Sequence, residues 1–220
     1  MARALITGAN RGIGLEVARQ LAARGDEVIA ACRSPSPELR ALGVEVVGGV
    51  DVADDGSVAG LAEAVGDRPL DMVLNNAGIL TSESLDDLDL DRIRAQFEVN
   101  TLGPLRVTKA LLPRLGHGAK VAIVSSWMGS LAENASGGSY GYRISKCAVN
   151  MAGLNLAHDL KPRGVAVVLL HPGYVRTEMT AGGGTVEPED AARGLIARID
   201  ALTLDNTGTF WHAEGHKLPW

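Results

Sequence analysis

The chain has 220 residues, 46% of them hydrophobic and 21% charged, which excludes an intrinsically disordered polypeptide. At 22.9 kDa, roughly 70% of the extended surface can be buried, so a core forms without disulfide or metal staples. The net charge of −5 speaks against a dedicated nucleic-acid binder, and two cysteines, Cys32 and Cys147, are too few for a disulfide framework. The longest aliphatic run, Val165 to Leu170, is far short of a membrane span, and the N-terminus lacks a signal-peptide pattern. A soluble cytoplasmic protein is the expectation.

Short aliphatic runs alternate with helical stretches. Ala4 to Thr7 reads as a strand, Ile13 to Ala23 as a helix, and Val28 to Ala31 as a second strand. Val44 to Val47 is a third strand, followed by a helix near Ser57 to Val65. Met72 to Leu74 is the fourth strand, Val121 to Val124 the fifth and Val165 to Leu170 the sixth. Runs that are apolar on both faces suit parallel strands covered by helices on both sides. The alternation predicts a doubly wound parallel α/β sheet in one Rossmann-type domain over residues 1–220. Pro104 and Pro113 punctuate Leu88 to Leu115, so that helix is expected to kink or end early. Glu133 to Ser139 and Ala181 to Thr185, rich in small polar residues and glycine, read as active-site loops beyond strand ends.

The first strand runs into Thr7-Gly8-Ala9-Asn10-Arg11-Gly12-Ile13-Gly14. Glycines there allow a sharp turn and close approach of backbone to a pyrophosphate, and a helix starting near Gly12 aims free N–H groups at that anion. Taken alone, the loop is equally an ordinary glycine-rich strand–helix turn; its place directly after the first strand favours a dinucleotide. A site for NAD puts an acid at the end of the second strand. Cys32 and Arg33 stand there instead, and Arg11 lies in the glycine loop. Two guanidinium groups converging on a 2′-phosphate favour NADP over NAD, unless both are solvated surface charges. Asp51, after the third strand, suits the adenine amino group.

Tyr142 and Lys146 stand four apart, on one face of a helix. An ammonium beside a phenol favours phenolate; bringing a tyrosine from about 10 toward 7 takes roughly 4 kcal/mol. Such a tyrosine exchanges a proton with a carbonyl or alcohol oxygen. By itself the pair is as readily a surface feature. Its company decides: Asn75-Asn76-Ala77-Gly78 follows the fourth strand, Ser125-Ser126 ends the fifth, and Pro172-Gly173 with Thr177 follows the sixth. All belong to the carboxyl edge of the sheet, where open α/β sheets bind ligands.

With these motifs in this order, the chain resembles the short-chain dehydrogenase/reductase family from Thr7 to Trp220. The resemblance implies an oxidoreductase passing hydride between NADP(H) and a carbonyl or alcohol. It implies Tyr142 as general acid/base, and Lys146 as the residue that binds the nicotinamide ribose and lowers the tyrosine pKa. Ser126 would hydrogen-bond the substrate oxygen and Asn100 hold a water in a proton relay. Asn76, Ala77 and Gly78 would line the adenosine ribose, and Val175 and Thr177 would meet the carboxamide. The cofactor set it implies is Gly8, Asn10, Arg11, Gly12, Ile13, Gly14, Arg33, Asp51, Val52, Asn76, Ala77, Gly78, Tyr142, Lys146, Pro172, Gly173, Val175 and Thr177.

One departure matters. Fifteen residues separate Ser126 from Tyr142, where the family commonly has about a dozen. The segments Met128 to Arg143 and Gly208 to Trp220 are similar to the C-factor and sniffer-like carbonyl reductase subgroup. That subgroup leaves a second reading open, a nucleotide-binding signalling or regulatory protein with little turnover. The family also implies a homodimer through the Tyr142 helix and the long helix before it. Ala148, Val149, Ala152, Leu156, Leu105 and Leu112 offer packing groups, unless they face the sheet. The Glu133 to Ser139 loop is expected to wall the substrate pocket. The five histidines, His117, His158, His171, His212 and His216, show no metal-ligand spacing, and no metal is expected.

Overall fold

The computed structural model describes residues 1–220. Seven parallel strands form one sheet: β1 (Arg3–Thr7), β2 (Glu27–Ala31), β3 (Glu45–Val47), β4 (Leu70–Asn75), β5 (Leu115–Val124), β6 (Ala166–His171) and β7 (Thr209–His212). Their order is β3-β2-β1-β4-β5-β6-β7. Seven helices cover it: α1 (Gly12–Ala23), α2 (Pro37–Arg40), α3 (Asp55–Val65), α4 (Leu90–Phe97), α5 (Gly103–Leu111), α6 (Tyr140–Leu160) and α7 (Pro188–Asp200). No helix is long and apolar enough to cross a membrane.

Successive strand residues point to opposite faces, so each strand feeds two cores. Ile6, Val28, Leu74 and Val168 face α1 and α7, where Leu21, Leu195 and Ile199 pack on them. Leu5, Ile29, Val73, Val121 and Val167 face the other layer, with Leu61, Val107 and Val149. The doubly wound parallel sheet expected from the aliphatic runs is what forms. One strand, β7, has no counterpart among those runs. Its segment Thr-Phe-Trp-His buries only Phe210 fully, because an edge strand needs little apolar surface.

The segment from Leu88 to Leu115 breaks where the prolines predicted, in a specific way. Pro104 has no N–H to give the carbonyl of Asn100, four residues back. The chain passes through a π turn, Glu98–Leu102, and the Gly103 N–H bonds to the Glu98 carbonyl. π turns of this kind often sit at functional sites; here the turn contains Asn100.

Helix α6 lies unusually close to β6. A Cβ on Gly153 would stand 2.9 Å from the Leu169 side chain. Val149, Ala157 and Leu160 are its sheet-facing stripe. Val149, expected on a dimer surface, therefore belongs to the core. Ile144 and Met151 are the exposed apolar groups of the helix, 48% and 61% accessible.

Candidate active site

The loops at the carboxyl edge enclose a cavity of about 400 Å³, beside the point where the strand order reverses between β1 and β4. From the β1 loop come Gly8, Asn10, Arg11, Gly12 and Ile13. Gly8 and Gly12 take φ of 67° and 54°, a region open to glycine. A Cβ on Gly8 would stand 2.8 Å from the Ala77 Cα. Gly14 does not line the cavity. A Cβ there would meet the Gly8 carbonyl at 2.4 Å, so its smallness closes the helix onto the loop. Arg11, the N-cap of α1, gives no side-chain cap, and the first turn holds no acid. Its N–H groups remain available to a phosphate.

The second-strand side brings Cys32 and Arg33, and the third Asp51 and Val52. Both arginines line the cavity, and they differ in their partners. Arg11 pairs with Glu178, in the turn beyond β6, because that carboxylate faces the start of α1. Arg33 has no carboxylate partner and stands exposed at the rim.

Asn76, Ala77 and Gly78 line the cavity after β4. The Asn76 side chain is committed elsewhere, donating to the Thr7 and Gly8 carbonyls at 3.1 and 3.2 Å. Thr7 Oγ1 in turn accepts from the N–H groups of Asn76 and Ala77, both at 3.1 Å. These bonds lace the glycine loop to the end of β4. Pro172, Gly173 and Thr177 reach the cavity from β6. Val175 does not; it is buried and bridges to Val186.

Ser126, Tyr142 and Lys146 meet on the floor of this cleft. The two serines divide. Ser125 Oγ donates to Asn150 Oδ1 at 2.6 Å, and Ser126 is left beside the Tyr142 phenol. Lys146 is buried and donates from Nζ to the Val124 carbonyl at 2.8 Å. Burial lowers its pKa to about 8. In the cofactor-free protein the Tyr142 phenol is not acidified. Burial pushes the phenol up, and the pull against it comes from Ser126. The lysine nitrogen lies 5.6 Å from the ring centroid, turned to the strand carbonyl.

Asn100 sits behind the cleft wall rather than on it. Its Oδ1 accepts from the Ile79 N–H and its Nδ2 donates to the Ile79 carbonyl, both at 2.9 Å, with Ser145 Oγ a further acceptor at 3.0 Å. Its amide therefore clamps the loop after β4 onto α6. Glu133 to Ser139 contribute nothing to the cavity wall. They lie outside it, held by Glu133 to Trp127 Nε1 and by Arg143 to Ser136 and Gly137.

Two residues of the site carry no signal in the sequence. Glu83 is buried, accepts from the Gly141 N–H at 3.0 Å and from Gln96 Nε2 at 3.0 Å, and so supplies the carboxylate at the start of α6. Ser139, the N-cap residue, makes no side-chain cap of its own. His171 lines the cavity with its pKa lowered to about 3, chiefly by burial, and its Nδ1 has no partner. The parallel pairing of β6 with β7 sets it directly opposite His212. No sequence spacing carries that register.

The short chain dehydrogenase family profile matches residues 2–186. The chain belongs to the short-chain dehydrogenase family. As a short-chain dehydrogenase it is 47% identical to 1-hydroxy-2-glutathionyl-2-methyl-3-butene dehydrogenase of Rhodococcus sp. (strain AD45), over the whole of both chains. It is 45% identical to C-signal of Myxococcus xanthus over 69% of this chain and 93% of that one. A carbonyl reductase from chicken fatty liver, solved with NADPH bound, superposes with a TM-score of 0.90 at 29% identity, covering 100% of this chain and 99% of that one. Short-chain dehydrogenases are oxidoreductases, and the C-factor and carbonyl reductase relatives expected from the loop and terminal segments are among the proteins this one resembles.

Proposed function

We propose that the protein is an NADP(H)-dependent carbonyl reductase, with Tyr142 as general acid toward the carbonyl oxygen and general base in reverse. The meeting of Tyr142, Ser126 and Lys146 in the cleft that the glycine loop also lines carries this reading. The nicotinamide group supplies hydride when bound. The first-turn N–H groups of α1 suit its pyrophosphate, and the unpaired Arg33 suits a 2′-phosphate. Ser126 holds the substrate oxygen against the phenol. Tyr142 hands over its proton, and the Lys146 ammonium, fixed on the Val124 carbonyl, offsets the negative charge left behind. The bonds of Asn100 to Ile79 and Ser145, and of Glu83 to Gly141, hold α6 in register with the loop after β4.

NADPH consumption measured across a panel of aldehydes and ketones tests the proposal. The identity to the Rhodococcus enzyme makes a glutathione-conjugated alcohol, run in the oxidative direction, the first addition to that panel. The likeness to C-signal supports the second reading, a regulatory protein. Tight NADPH binding with no carbonyl-dependent consumption would mark it.

Arg33→Asp removes the one free guanidinium at the rim and puts a carboxylate in its place. Charge-assisted hydrogen bonds contribute about 1.5–3 kcal/mol, so NADPH affinity falls about 10- to 100-fold while NADH affinity holds or rises. Equal dissociation constants for the two cofactors in the unmutated protein would exclude the role. In solution the exposed Ile144 and Met151 pair α6 with a second copy. Light scattering then reads about twice 22.9 kDa, and Met151→Lys returns the mass to that of one chain.

A further inference from the structure

We propose that His212, Glu214 and His216 form a binding site for a divalent transition-metal ion of the zinc class, separate from the catalytic cleft. One ligand atom from each residue lies within 4.8 Å of the other two. The three belong to a tight turn that begins at the end of β7. The His212 N–H bonds to the His216 carbonyl and the Gly215 N–H to the His212 carbonyl, both at 2.9 Å. Gly215 takes φ of 101°, which lets the chain reverse and brings residues 212 and 216 to one side. The turn is pinned to the sheet by the Ala213 N–H on the His171 carbonyl at 2.8 Å.

The rings are neighbours, and an ion between them needs the exposed His216 ring to turn out of the stack. His212 and His216 stack with centroids 4.6 Å apart and planes 12° from parallel. His171 packs edge-on against His212 at 4.9 Å, which restricts the His212 ring from the sheet side. His212 Nδ1 accepts the Glu214 N–H at 3.1 Å, so this nitrogen is the unprotonated one and its lone pair faces the turn. Glu214 Oε2 stands 3.6 Å from it. An ion arriving there takes that lone pair in place of the N–H.

Two imidazoles and a carboxylate are the donor set of borderline ions and not of Mg²⁺, which prefers oxygen ligands and keeps its waters. Donors bound at ~2.0–2.2 Å around one tetrahedral ion stand ~3.4 Å apart, so the widest-spaced of the three must draw in by up to about 1.4 Å. Glu214 and His216 are exposed and close that distance by rotation. His212 and Glu214 also border a hollow of about 340 Å³ beside α7, distinct from the cofactor cleft, which leaves room for water as fourth ligand.

The ion would act as a clip. The residues after the turn run back along β7, with the Leu218 N–H on the Phe210 carbonyl, and end at Trp220 stacked on Phe210. The Trp220 carbonyl accepts from Ser130 Oγ at 3.1 Å and from the Ala132 N–H at 3.2 Å. Fixing the turn therefore fixes the support of the chain just beyond Ser126.

Titration calorimetry of the intact protein with Zn²⁺ alone, in chelator-free buffer, tests this. One ion per chain binds at micromolar concentration, Mg²⁺ gives no heat, and the thermal midpoint rises with Zn²⁺. His216→Ala and Glu214→Gln alter exposed side chains that the fold does not need. Each weakens Zn²⁺ at least about tenfold and removes the thermal shift, as losing a ligand requires. Absence of saturable Zn²⁺ binding, or equal affinity in both variants, overturns the site. NADPH turnover is not needed for either readout.

Discussion

Tyr142→Phe keeps NADPH bound at its normal affinity and loses turnover by roughly 10²- to 10⁴-fold, the range for removing one general acid. The phenylalanine fills the same space, so the cleft floor keeps its shape. The variant lacks the one hydroxyl beside Ser126 that has a proton to give. Tyr140 does not replace it, standing two residues earlier on α6, partly exposed and outside the cavity. Burial holds the phenol protonated in the cofactor-free protein, so the hydroxyl enters reduction in its acid form. Near-normal consumption of NADPH by the variant would remove Tyr142 from the chemistry.

Lys146→Met separates stability from activity, and does so along the pH axis. The lysine is buried with a pKa of about 8, against 10.5 for an exposed lysine. Below pH 8 it is charged in folded and unfolded chains alike, and the folded state carries the whole cost of burying the charge. Between pH 8 and 10.5 the unfolded chain binds more protons than the folded one, so wild-type stability rises with pH there. Above pH 10.5 the cost is gone. The size of that relief is of the order of 3 kcal/mol. Methionine carries none of it, so its stability relative to wild type falls by that amount between pH 8 and 10.5. The Val124 carbonyl, left without its donor, adds a constant offset that does not depend on pH. Denaturation in the absence of cofactor reads the slope; parallel pH profiles would show that the buried charge is not felt. Turnover falls with the lysine in either case, by a factor near that of the tyrosine variant, because the charge offset during proton transfer is lost.

The legible parts of this protein share a cause. β1, β2, β4, β6 and the second half of β5 are buried on both faces, so their aliphatic runs stand out from neighbouring segments. The glycine loop, Ser126, Tyr142 and Lys146 are legible because each sits at a fixed distance from one of those strands. The features that escaped the sequence depend on partners far along the chain. Glu83 reads as a surface acid until α6 arrives with Gly141 and α4 with Gln96. The pairing of Arg11, which leaves Arg33 the arginine without a carboxylate, depends on Glu178, 167 residues away. The grouping of His171 with His212 and His216 needs the register of β6 on an edge strand that the hydrophobic pattern does not announce. Asn76 lines the cavity, and its further bonds from Nδ2 to the Thr7 and Gly8 carbonyls depend on a strand pairing 69 residues apart in the chain.

The strand order also bears on how the chain is made. A ribosome delivers β1 first. β2 then adds to one side of β1, and β3 to the outside of β2. β4 takes the free side of β1, and β5, β6 and β7 each add to the outside of the strand before it. At no stage must a new strand be inserted between two that have already paired. Every strand finds an open edge waiting, so pairings formed early in synthesis are never undone by later strands. Domains that grow this way are suited to fold as they emerge, at the 5–20 residues per second of translation.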